Sequence, residues 1–521
     1  MLKQDYIQQY RLENTEEIEK LRENNASEEL IDLFIGKYYD QGKWIHMELR
    51  NLRPEENCSR DDRGMSQLFS DVFKDHCRYN VTADEWYVYN GSVWKPDPHG
   101  MHTSRWAKEL TCALASYCAH LPDTKYKDSF QELVSKYGNH KYRKTMMQDA
   151  KDVFCFKTED MDNKLELFNC QNGTYNLNTG EFQPHEPGDL MAKCSNVIYD
   201  PEAKSELFES FISEVMQGDQ EKIDYLQKVF GYALTAETDL ECCWILYGAS
   251  TRNGKSTLVE TLAYMMGNKD GYAENTPPET LAQKKNKDSR QASGDIARLD
   301  GCRFLNASEP PRRMLFDAAL LKTLLGRDSI TARRLYQSEF EFTPHFKLFI
   351  NTNYLPQIQD ETLFTSGRIV VVPFERHFSA EEQDRTLKDR LRTPENISGI
   401  FNWCLEGLRR FRQEGAIPPK SIQTAVEAYR KDSDKLGLFM EECLEPSETN
   451  VMGNAVYQRY SHWCSENGYA CESKRSFFDE LRRKNLLAES GTIDGKTKSN
   501  VVKGYRLTHE SDTYYDMGLP Y

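Results

Sequence analysis

The loop at residues 247–257 is the feature of this sequence that most constrains its fold. It reads Tyr-Gly-Ala-Ser-Thr-Arg-Asn-Gly-Lys-Ser-Thr, follows an apolar run at residues 243–246 and precedes a second apolar stretch at residues 258–262. This order predicts a buried strand, a loop of small residues and then a helix. Loop N–H groups and the N-terminus of a helix would both point toward an anion there. The chain is therefore predicted to bind a nucleoside triphosphate.

The residues of this loop have separate roles in phosphate binding. Gly254 lets the backbone approach the β-phosphate, Lys255 adds a positive charge, and Ser256 offers its hydroxyl to a magnesium ion. Five residues separate Gly248 from Gly254, rather than the usual four. Either the loop is one residue longer, or Ala249 occupies the first glycine position. The residues predicted to contact ATP and Mg²⁺ are Gly248, Ser250, Thr251, Arg252, Asn253, Gly254, Lys255, Ser256 and Thr257.

An acidic residue ends a short apolar segment downstream of the loop. Residues 303–310 are predicted to include a buried strand that places Glu309 at its C-terminal end. In phosphate-loop enzymes an acid at this place reaches the magnesium ion or orients the attacking water. We predict that Glu309 is the general base and that, together with Ser256, it holds Mg²⁺ through water. For an isolated segment of this kind, a surface or helix-capping glutamate is the alternative.

Two further apolar runs carry polar residues at their ends. Asn353 follows the run at residues 346–350, where an amide can contact the γ-phosphate and the attacking water. Arg368 precedes the run at residues 369–374, and at a subunit edge it could reach the γ-phosphate of a neighbour as an arginine finger. The alternative for Arg368 is an ion pair with a local carboxylate. The predicted catalytic residues are Lys255, Glu309, Asn353 and Arg368.

The order of these motifs resembles that of superfamily 3 helicases, specifically the bacteriophage and plasmid primase-helicase group related to the poxvirus primase-helicase. The likeness extends over most of the chain, from residue 64 to residue 507. One departure is Ser308, which stands where some members have a second acid beside Glu309. The segments that carry the likeness are residues 86–94, 172–181, 253–257, 322–334, 352–356 and 368–374, with the strand that ends in Glu309. Residues 86–94 also predict a β-hairpin that turns at Asn90 and Gly91.

The resemblance implies a fold, a domain division and an activity. The implied fold is α/β, with an AAA+-like P-loop helicase core, an α/β helicase-associated domain and a C-terminal winged helix. Such proteins form hexameric rings that hydrolyse ATP between subunits and translocate on DNA. The implied function is therefore an ATP-dependent DNA helicase for replication of a phage or mobile element. We predict a helical segment at residues 1–63, the helicase-associated domain at 64–202, the ATPase domain at 203–420 and a linker helix with the winged helix at 421–521.

The resemblance also predicts a hairpin in the pore of the ring. Two strands joined by a turn are expected over residues 331–343. For Arg333 and Arg334, the alternative is that each forms a surface ion pair with Glu339 or Glu341. The residues predicted to contact single-stranded DNA in the pore are Arg333, Arg334 and Gln337.

The C-terminal region has the pattern of a winged helix. Apolar residues at helical spacing predict helices over residues 456–463 and 474–484, the second capped by Ser473. Residues 486–487 and 501–507 are predicted to pair as strands. Ten basic and six acidic residues lie between positions 455 and 507, a net charge of +4 that suits duplex DNA, although a surface for protein contacts is the alternative. The predicted DNA contacts are Arg475, Arg482, Arg483 and Lys484.

Composition limits the setting of the protein. The chain has 521 residues and a net charge of −15, which is compatible with a ring that needs positive charge only along its channel. Its 14 cysteines include no Cys-x-x-Cys pair, which argues against zinc and favours a reducing compartment. No apolar segment approaches the roughly 20 residues that span a bilayer. We expect a protein of the bacterial cytoplasm that does not contact membranes.

Two other functional classes stay open. A monomeric P-loop kinase would lack an arginine acting between subunits and would not be stimulated by DNA. A DNA-binding regulator or replication initiator that uses ATP as an assembly switch would bind ATP but turn over very slowly. Priming by this chain is not expected, because the acids at residues 159–162 lie in a polar context and the chain before residue 65 is too short for a primase fold. Any priming is expected from a separate primase or polymerase.

Overall fold

The computed structural model describes residues 1–23, 26–123, 126–283, 294–312, 314–333, 339–469 and 471–508. In these residues the chain is an α/β protein built around a five-stranded parallel sheet, which confirms the predicted class. A mainly helical region precedes the sheet, and a region of helices and a hairpin follows it. No helix in the described ranges is both long and apolar enough to cross a membrane.

The first region packs helices around a three-stranded antiparallel sheet. Its elements are α1 (Lys3–Glu13), α2 (Thr15–Glu23), α3 (Glu28–Asp40), α4 (Lys43–Leu52), α5 (Pro54–Asn57), α6 (Asp62–Phe73), β1 (Cys77–Asn80), β2 (Glu85–Tyr89), β3 (Trp94–Pro96), α7 (Met101–His120), α8 (Lys127–Tyr137) and α9 (His140–Asp149). One apolar core contains both Tyr6 of α1 and Leu110 of α7, so residues on both sides of position 63 share it. The hairpin predicted within residues 86–94 is confirmed, with Tyr89 opposite Trp94.

A second antiparallel sheet has three strands in sequence order. These strands are β4 (Leu167–Cys170), β5 (Gly173–Asn176) and β6 (Phe182–Gln183). Phe168 of β4 stacks on Tyr272 and Phe401, with ring centroids 4.7 and 5.1 Å apart. The small sheet therefore shares its apolar core with the large parallel sheet rather than with the N-terminal helices.

The third region contains the parallel sheet. Its elements are α10 (Glu206–Val215), α11 (Gln220–Ala233), β7 (Cys243–Tyr247), α12 (Lys255–Met266), β8 (Ala273–Thr276), α13 (Gly294–Ala297), β9 (Phe304–Ser308), α14 (Ala318–Leu325), β10 (Ile330–Arg333), β11 (Glu339–Phe342), β12 (Lys347–Thr352), α15 (Thr362–Thr365), β13 (Ile369–Pro373), α16 (Leu387–Leu391) and α17 (Pro394–Glu414). The strand order is β13-β7-β12-β9-β8. Trp244 and Leu246 face a core with α11, α12 and α17, whereas Ile245 faces a second core with α14. Burial of both faces explains the uninterrupted apolar runs of β7 and β13.

Two buried cations brace the amino-terminal edge of this sheet. The guanidinium of Arg303 donates to the carbonyl oxygens of Leu234 at 2.8 Å and Leu167 at 2.9 Å, which ties α11 and β4 to the start of β9. Lys347, the first residue of β12, donates to the carbonyl oxygen of Thr235. Burial lowers the pKa of the Arg303 guanidinium and lowers that of Lys347 further. Carbonyl groups at the C-terminal end of a helix carry partial negative charge, so the end of α11 stabilises both cations.

The hairpin predicted at residues 331–343 is present in its described part. β10 and β11 pair antiparallel, with Arg333 opposite Glu339. The predicted turn at Gln337 and Ser338 lies outside the described residues, as does Arg334 of the first predicted strand.

The last region combines helices with a long hairpin. Its elements are α18 (Lys420–Ser433), α19 (Lys435–Cys443), β14 (Leu444–Pro446), β15 (Val451–Met452), α20 (Gly453–Glu466), α21 (Lys474–Arg483), β16 (Leu487–Ile493), β17 (Lys496–Val502) and β18 (Tyr505–Leu507). Ser473 caps α21 as predicted, because its hydroxyl accepts a hydrogen bond from the N–H of Ser476 at 3.2 Å. The predicted pairing of residues 486–487 with residues 501–507 is confirmed in part, because Leu487 of β16 lies opposite Val502 of β17. The end of the run forms a separate strand, β18, which pairs with β14. The break falls at Gly504, whose φ of 74° leaves the extended region.

Two glycines let α11 and α17 pack backbone to backbone. A Cβ at Gly407 would lie 2.0 Å from the carbonyl oxygen of Gln227, and one at Gly231 would lie 2.2 Å from the nitrogen of Leu408. We expect Gly407→Ala to lower the free energy of unfolding by about 1–3 kcal/mol, because the helices must separate to admit the methyl group. Urea unfolding followed by tryptophan fluorescence measures this change.

The matched control for that prediction is Gly188→Ala. A Cβ at Gly188 would meet no atom within 4 Å, so this variant should unfold at the wild-type urea concentration. Equal unfolding midpoints for Gly407→Ala and the wild type would contradict the close packing of α11 against α17.

Candidate nucleotide site

The strand register brings the phosphate loop, Glu309 and Asn353 to one end of the parallel sheet. β7 pairs in parallel with β12 and β13, so that Tyr247 lies opposite Thr352 and Pro373. The carboxyl ends of parallel strands share one edge, so the segments that follow them converge there. The phosphate loop follows β7, Asn353 follows β12, and Glu309 follows the neighbouring β9.

The loop lysine is buried at the start of α12. Gly254 precedes it with a φ of 81°, a conformation that favours glycine, and Lys255 is 4% exposed. The ammonium of Lys255 donates to the side-chain oxygens of Asn253 and Asn353, each at 2.8 Å. The structure thus joins the predicted phosphate lysine to the predicted γ-phosphate sensor. Burial lowers the pKa of Lys255 to about 8, and the Glu309 carboxylate opposes that shift.

Gly248 is required by the way in which the loop folds back on itself. A Cβ at this position would lie 2.0 Å from Nδ2 of Asn253 and 2.8 Å from the carbonyl oxygen of Phe374. This close approach favours the longer loop, in which Gly248 is the first glycine. Thr257 is half-buried on α12. The exposed residues of the loop and of the start of α12 are Ala249, Ser250, Thr251, Arg252 and Ser256.

Asn351 is a site residue that the sequence analysis did not select. Its side chain is buried in β12, and Nδ2 donates to the hydroxyl of Ser256 at 3.1 Å. The predicted magnesium ligand is therefore oriented by an amide near the strand end. The available signal was a polar residue at the end of an apolar run. Asn351 and Asn353 both have this signal, and only the structure shows that Asn351 contacts Ser256 while Asn353 contacts Lys255.

Glu309 lies just beyond β9 with an exposed side chain. Its N–H donates to the carbonyl oxygen of Asn351 at 2.7 Å. Its φ of 53° is a left-handed conformation, which costs a residue other than glycine about 1–3 kcal/mol. Such strain is common at functional sites, where the surrounding structure holds a side chain in a required direction. Ser308 beside it accepts a hydrogen bond from Nδ2 of Asn306 at 2.9 Å.

The side chains at this edge fit a magnesium ion. Ser256 and Glu309 offer oxygen atoms, which Mg²⁺ prefers, and Mg²⁺ normally keeps several waters and binds substrate phosphates as well. In the part of the chain that the structure describes, no group of three or more His, Cys, Asp or Glu side chains is placed to hold a metal ion. A magnesium ion here would take most of its ligands from water and the nucleotide.

Arg368 lies at the opposite end of the sheet, where the strands begin. Its carbonyl oxygen accepts a hydrogen bond from the N–H of Cys243, the first residue of β7, whereas the phosphate loop follows the last. The strand between them is roughly 16 Å long at about 3.3 Å per residue, so Arg368 does not reach the loop of its own chain. Its guanidinium pairs with Glu241 at 2.8 Å and donates to the carbonyl oxygen of Lys322 at 3.3 Å. Its role toward a neighbouring subunit stays a prediction.

Three of the four predicted DNA contacts in the C-terminal region form ion pairs with carboxylates. Arg475 is exposed on the first turn of α21, and Arg333 is exposed at the end of β10. DNA contact stays a prediction for all of these cations. The ion pairs are Arg482 with Asp479 at 2.7 Å, Arg483 with Glu480, and Lys484 with Asp434 at 2.8 Å.

Three family models match the chain in succession. A model described as D5 N terminal like matches residues 66–217, one described as a family of unknown function matches residues 246–368, and one described as poxvirus D5 protein-like matches residues 431–514. The two D5 models flank the segment that contains the phosphate loop. The matches over residues 66–217 and 431–514 support a poxvirus D5-like primase-helicase family for this chain.

Viral proteins named as candidate helicases are similar to this D5-like chain. The protein L207/L206 of Acanthamoeba polyphaga mimivirus is 26% identical over 363 residues, which cover 64% of this chain and 37% of that protein. Protein 022R of Frog virus 3 is 29% identical over 273 residues, covering 48% and 27%. Protein 121R of Invertebrate iridescent virus 3 is 23% identical over 511 residues, covering 82% and 53%. The chain thus spans about half or less of the length of these relatives.

One solved structure similar to the D5-like chain is the apo structure of the NrS-1 C-terminal region. The identity is 11% and the TM-score is 0.46, over 86% of this chain and 100% of that one.

The similar viral proteins come from eukaryotic viruses and a virophage, so they give no support to the expected bacterial host.

The lowered pKa of Lys255 makes ATP affinity depend on pH. Below about pH 8 the ammonium is charged before the nucleotide arrives, whereas above it the free protein must take up a proton on binding. We expect the association constant for ATP to fall by about tenfold per pH unit above that value, because one proton is bound with each nucleotide. Calorimetric titration from about pH 7 to about pH 10 measures the slope.

The control for that slope is Lys255→Arg, which keeps its charge at every pH tested. Whatever affinity this variant retains should not vary with pH in the same range. A wild-type affinity that stays constant up to about pH 10 would mean that Lys255 remains charged despite its burial.

Proposed function

We propose that this protein is an ATP-dependent DNA helicase that assembles as a ring, with a hexamer as its expected form, and acts in the replication of viral or other mobile DNA. The observation that carries the proposal is the meeting of Lys255, Asn353 and Ser256 at the edge of the sheet from which the phosphate loop leaves. The helicase names of the viral relatives support the choice of activity. An AAA+-like core and a C-terminal winged helix belong to the same proposal.

In this proposal the residues of one edge hold and activate the reactants. Lys255 contacts the β- and γ-phosphates. Ser256 and Glu309 would hold Mg²⁺, in part through water, and bound magnesium neutralises charge on the phosphate oxygens. Glu309 orients the attacking water and accepts its proton, for which its exposed side chain at the end of β9 is suitably placed.

The hydrogen bonds of Lys255 give Asn353 a way to sense the γ-phosphate. Without nucleotide, the ammonium is shared between the neutral amides of Asn253 and Asn353. A triphosphate is a stronger partner for the ammonium than either amide, because both groups are charged. Lys255 then turns toward the phosphates and releases Asn353, whose amide becomes available to the γ-phosphate and the attacking water.

The position of Arg368 supports hydrolysis between subunits. An arginine finger supplied by a neighbour stabilises the charge of the transition state. Because Arg368 lies a full strand length from its own loop, only the loop of another subunit is a possible target. In a ring, each subunit would complete the site of the next, and the neighbour's γ-phosphate would compete with Glu241 for the guanidinium.

DNA is proposed to bind at two places. The hairpin of β10 and β11, with Arg333, Arg334 and Gln337, would contact a single strand in the pore. The C-terminal region, with Arg475 exposed on α21, would contact the duplex, and the ion pairs of the three following cations would open to admit phosphates. A separate primase or polymerase is the proposed partner. The main alternative is an ATPase that uses nucleotide as an assembly switch. A DNA-stimulated ATPase assay, combined with a native mass of the assembly, distinguishes this alternative from a helicase.

Two variants separate nucleotide binding from hydrolysis. Lys255→Ala should lose ATP affinity and turnover together, because the phosphates lose their positive partner. Glu309→Gln should still bind ATP but turn over about 10²- to 10⁴-fold more slowly, since an amide does not accept the proton of water. DNA-stimulated ATPase and ATP titrations measure both effects. Wild-type turnover by Lys255→Ala would remove the phosphate-loop assignment, whereas normal hydrolysis by Glu309→Gln would place the base elsewhere.

A third variant tests catalysis between subunits. Arg368→Ala should bind ATP almost normally but hydrolyse it about 10³- to 10⁵-fold more slowly. Mixing it with Lys255→Ala should restore some activity, because some interfaces then pair an intact loop with an intact finger. Wild-type ATPase should also rise with protein concentration as rings assemble.

The ion-pair partner of Arg368 supplies the matched control. Glu241→Gln removes the pair but leaves the finger, so it should retain most of the ATPase activity if Arg368 acts on a neighbour. An equal loss in Glu241→Gln and Arg368→Ala, with no rescue in the mixture, would assign Arg368 to local structure and remove the argument for a ring.

A further inference from the structure

The segment that leaves β13 runs back along the phosphate loop. Phe374 begins it, and its N–H donates to the carbonyl oxygen of Tyr247, the last residue of β7, at 2.7 Å. Arg376 ties the segment to α10, since its guanidinium pairs with Glu214 at 3.6 Å as well as with Glu382 at 2.6 Å. The same guanidinium lies over the ring of Phe378 at 4.6 Å. The next residues therefore lie in a fixed position beside the exposed part of the loop.

Three successive carbonyl groups of the phosphate loop are each held by a donor. The oxygen of Ser250 accepts from Nδ2 of Asn253 at 2.7 Å. The oxygen of Thr251 accepts from Nδ1 of His377 at 2.9 Å, which requires the proton on that ring nitrogen because a carbonyl only accepts. The oxygen of Arg252 accepts from the N–H of Phe378 at 2.8 Å. Two of the three donors thus come from the segment after β13.

These bonds determine where the N–H groups of the loop point. In a planar trans peptide, the C=O and the following N–H point in opposite directions. Holding the carbonyls of residues 250–252 toward the donors therefore turns the N–H groups of residues 251–253 the other way. In the described structure none of these three N–H groups donates to another residue. Successive main-chain N–H groups that are left without an internal acceptor in a loop are the donors that bind an anion.

We propose that His377 is a positioning residue that presets the phosphate loop for a triphosphate by holding the carbonyl of Thr251. This role rests on the proposed function, in which the loop binds ATP. His377 acts through the loop backbone and does not touch the nucleotide. The hydrogen bond fixes the peptide before binding, so less ordering of the loop is required when the phosphates arrive.

The test compares three variants of the full chain. His377→Ala removes the donor, and we expect it to weaken binding of a non-hydrolysable ATP analogue with Mg²⁺ by about three- to tenfold, the effect of one hydrogen bond. His377→Asn places an amide N–H close to the position of Nδ1 and should restore most of that affinity. His140→Ala, at an exposed histidine at the start of α9, is the matched control and should bind as the wild type does.

A second ligand separates loop positioning from contact with the base. Inorganic triphosphate carries the phosphates alone, so His377→Ala should weaken its binding by the same factor as that of the ATP analogue. A loss confined to the ATP analogue would mean that His377 contacts the nucleoside, and it would overturn the proposal. The melting temperature of the nucleotide-free protein should be unchanged, and a fall beyond that of His140→Ala would assign His377 to stability instead.

Failure of this inference is distinguishable from failure of the proposed function. Wild-type affinity in His377→Ala, or no recovery in His377→Asn, would overturn the positioning role while leaving the phosphate loop intact. If the wild type itself binds neither ligand, or Lys255→Ala binds both normally, the nucleotide site is wrong and the role of His377 falls with it.

Discussion

The parallel register of β7, β12 and β13 is the constraint on which the candidate site depends. Because Tyr247, Thr352 and Pro373 lie opposite one another, everything that follows these strands meets at one edge. The same register places Arg368 at the other edge, beside the first residue of β7. β13 therefore begins at the proposed finger and leads into the segment that holds the phosphate loop. One strand thus connects the proposed finger with the candidate site of the same chain.

The buried cations of the ATPase region differ in what holds them. Arg303 and Lys347 donate to main-chain carbonyls that belong to the fold, so they can be released only by unfolding it. Lys255 donates to the side-chain amides of two asparagines, which can rotate away. Its lowered pKa reflects a charge that is buried without full compensation. The proposed triphosphate would supply that compensation, which is the physical reason for expecting tight binding at this position.

The excess of acidic residues in the chain is also seen in the ion pairs of its C-terminal region. Cations predicted to contact DNA on α21 pair with carboxylates of the same helix or of the linker before α19. Surface ion pairs of this kind contribute little to stability and are weakened by salt. They therefore present only a small barrier to phosphate binding, while they reduce nonspecific attraction to nucleic acid. A net charge of −15 is consistent with the proposal that DNA contacts are confined to a few positions.

Local sequence patterns were sufficient for the phosphate loop, the strands and helices around it, the hairpin in residues 86–94 and the cap at Ser473, because each depends on residues that are neighbours in the chain. They also identified the strand ends that carry Glu309 and Asn353. The partner of each side chain was not predictable, because it depends on strand order and on segments that lie 95 to 126 residues away in the chain. Thus Asn351 rather than a loop residue orients Ser256, and His377, in the segment after β13, donates to a carbonyl of the loop. These contacts arise only when the parallel sheet brings distant strand ends together, since no local periodicity records which ends will meet.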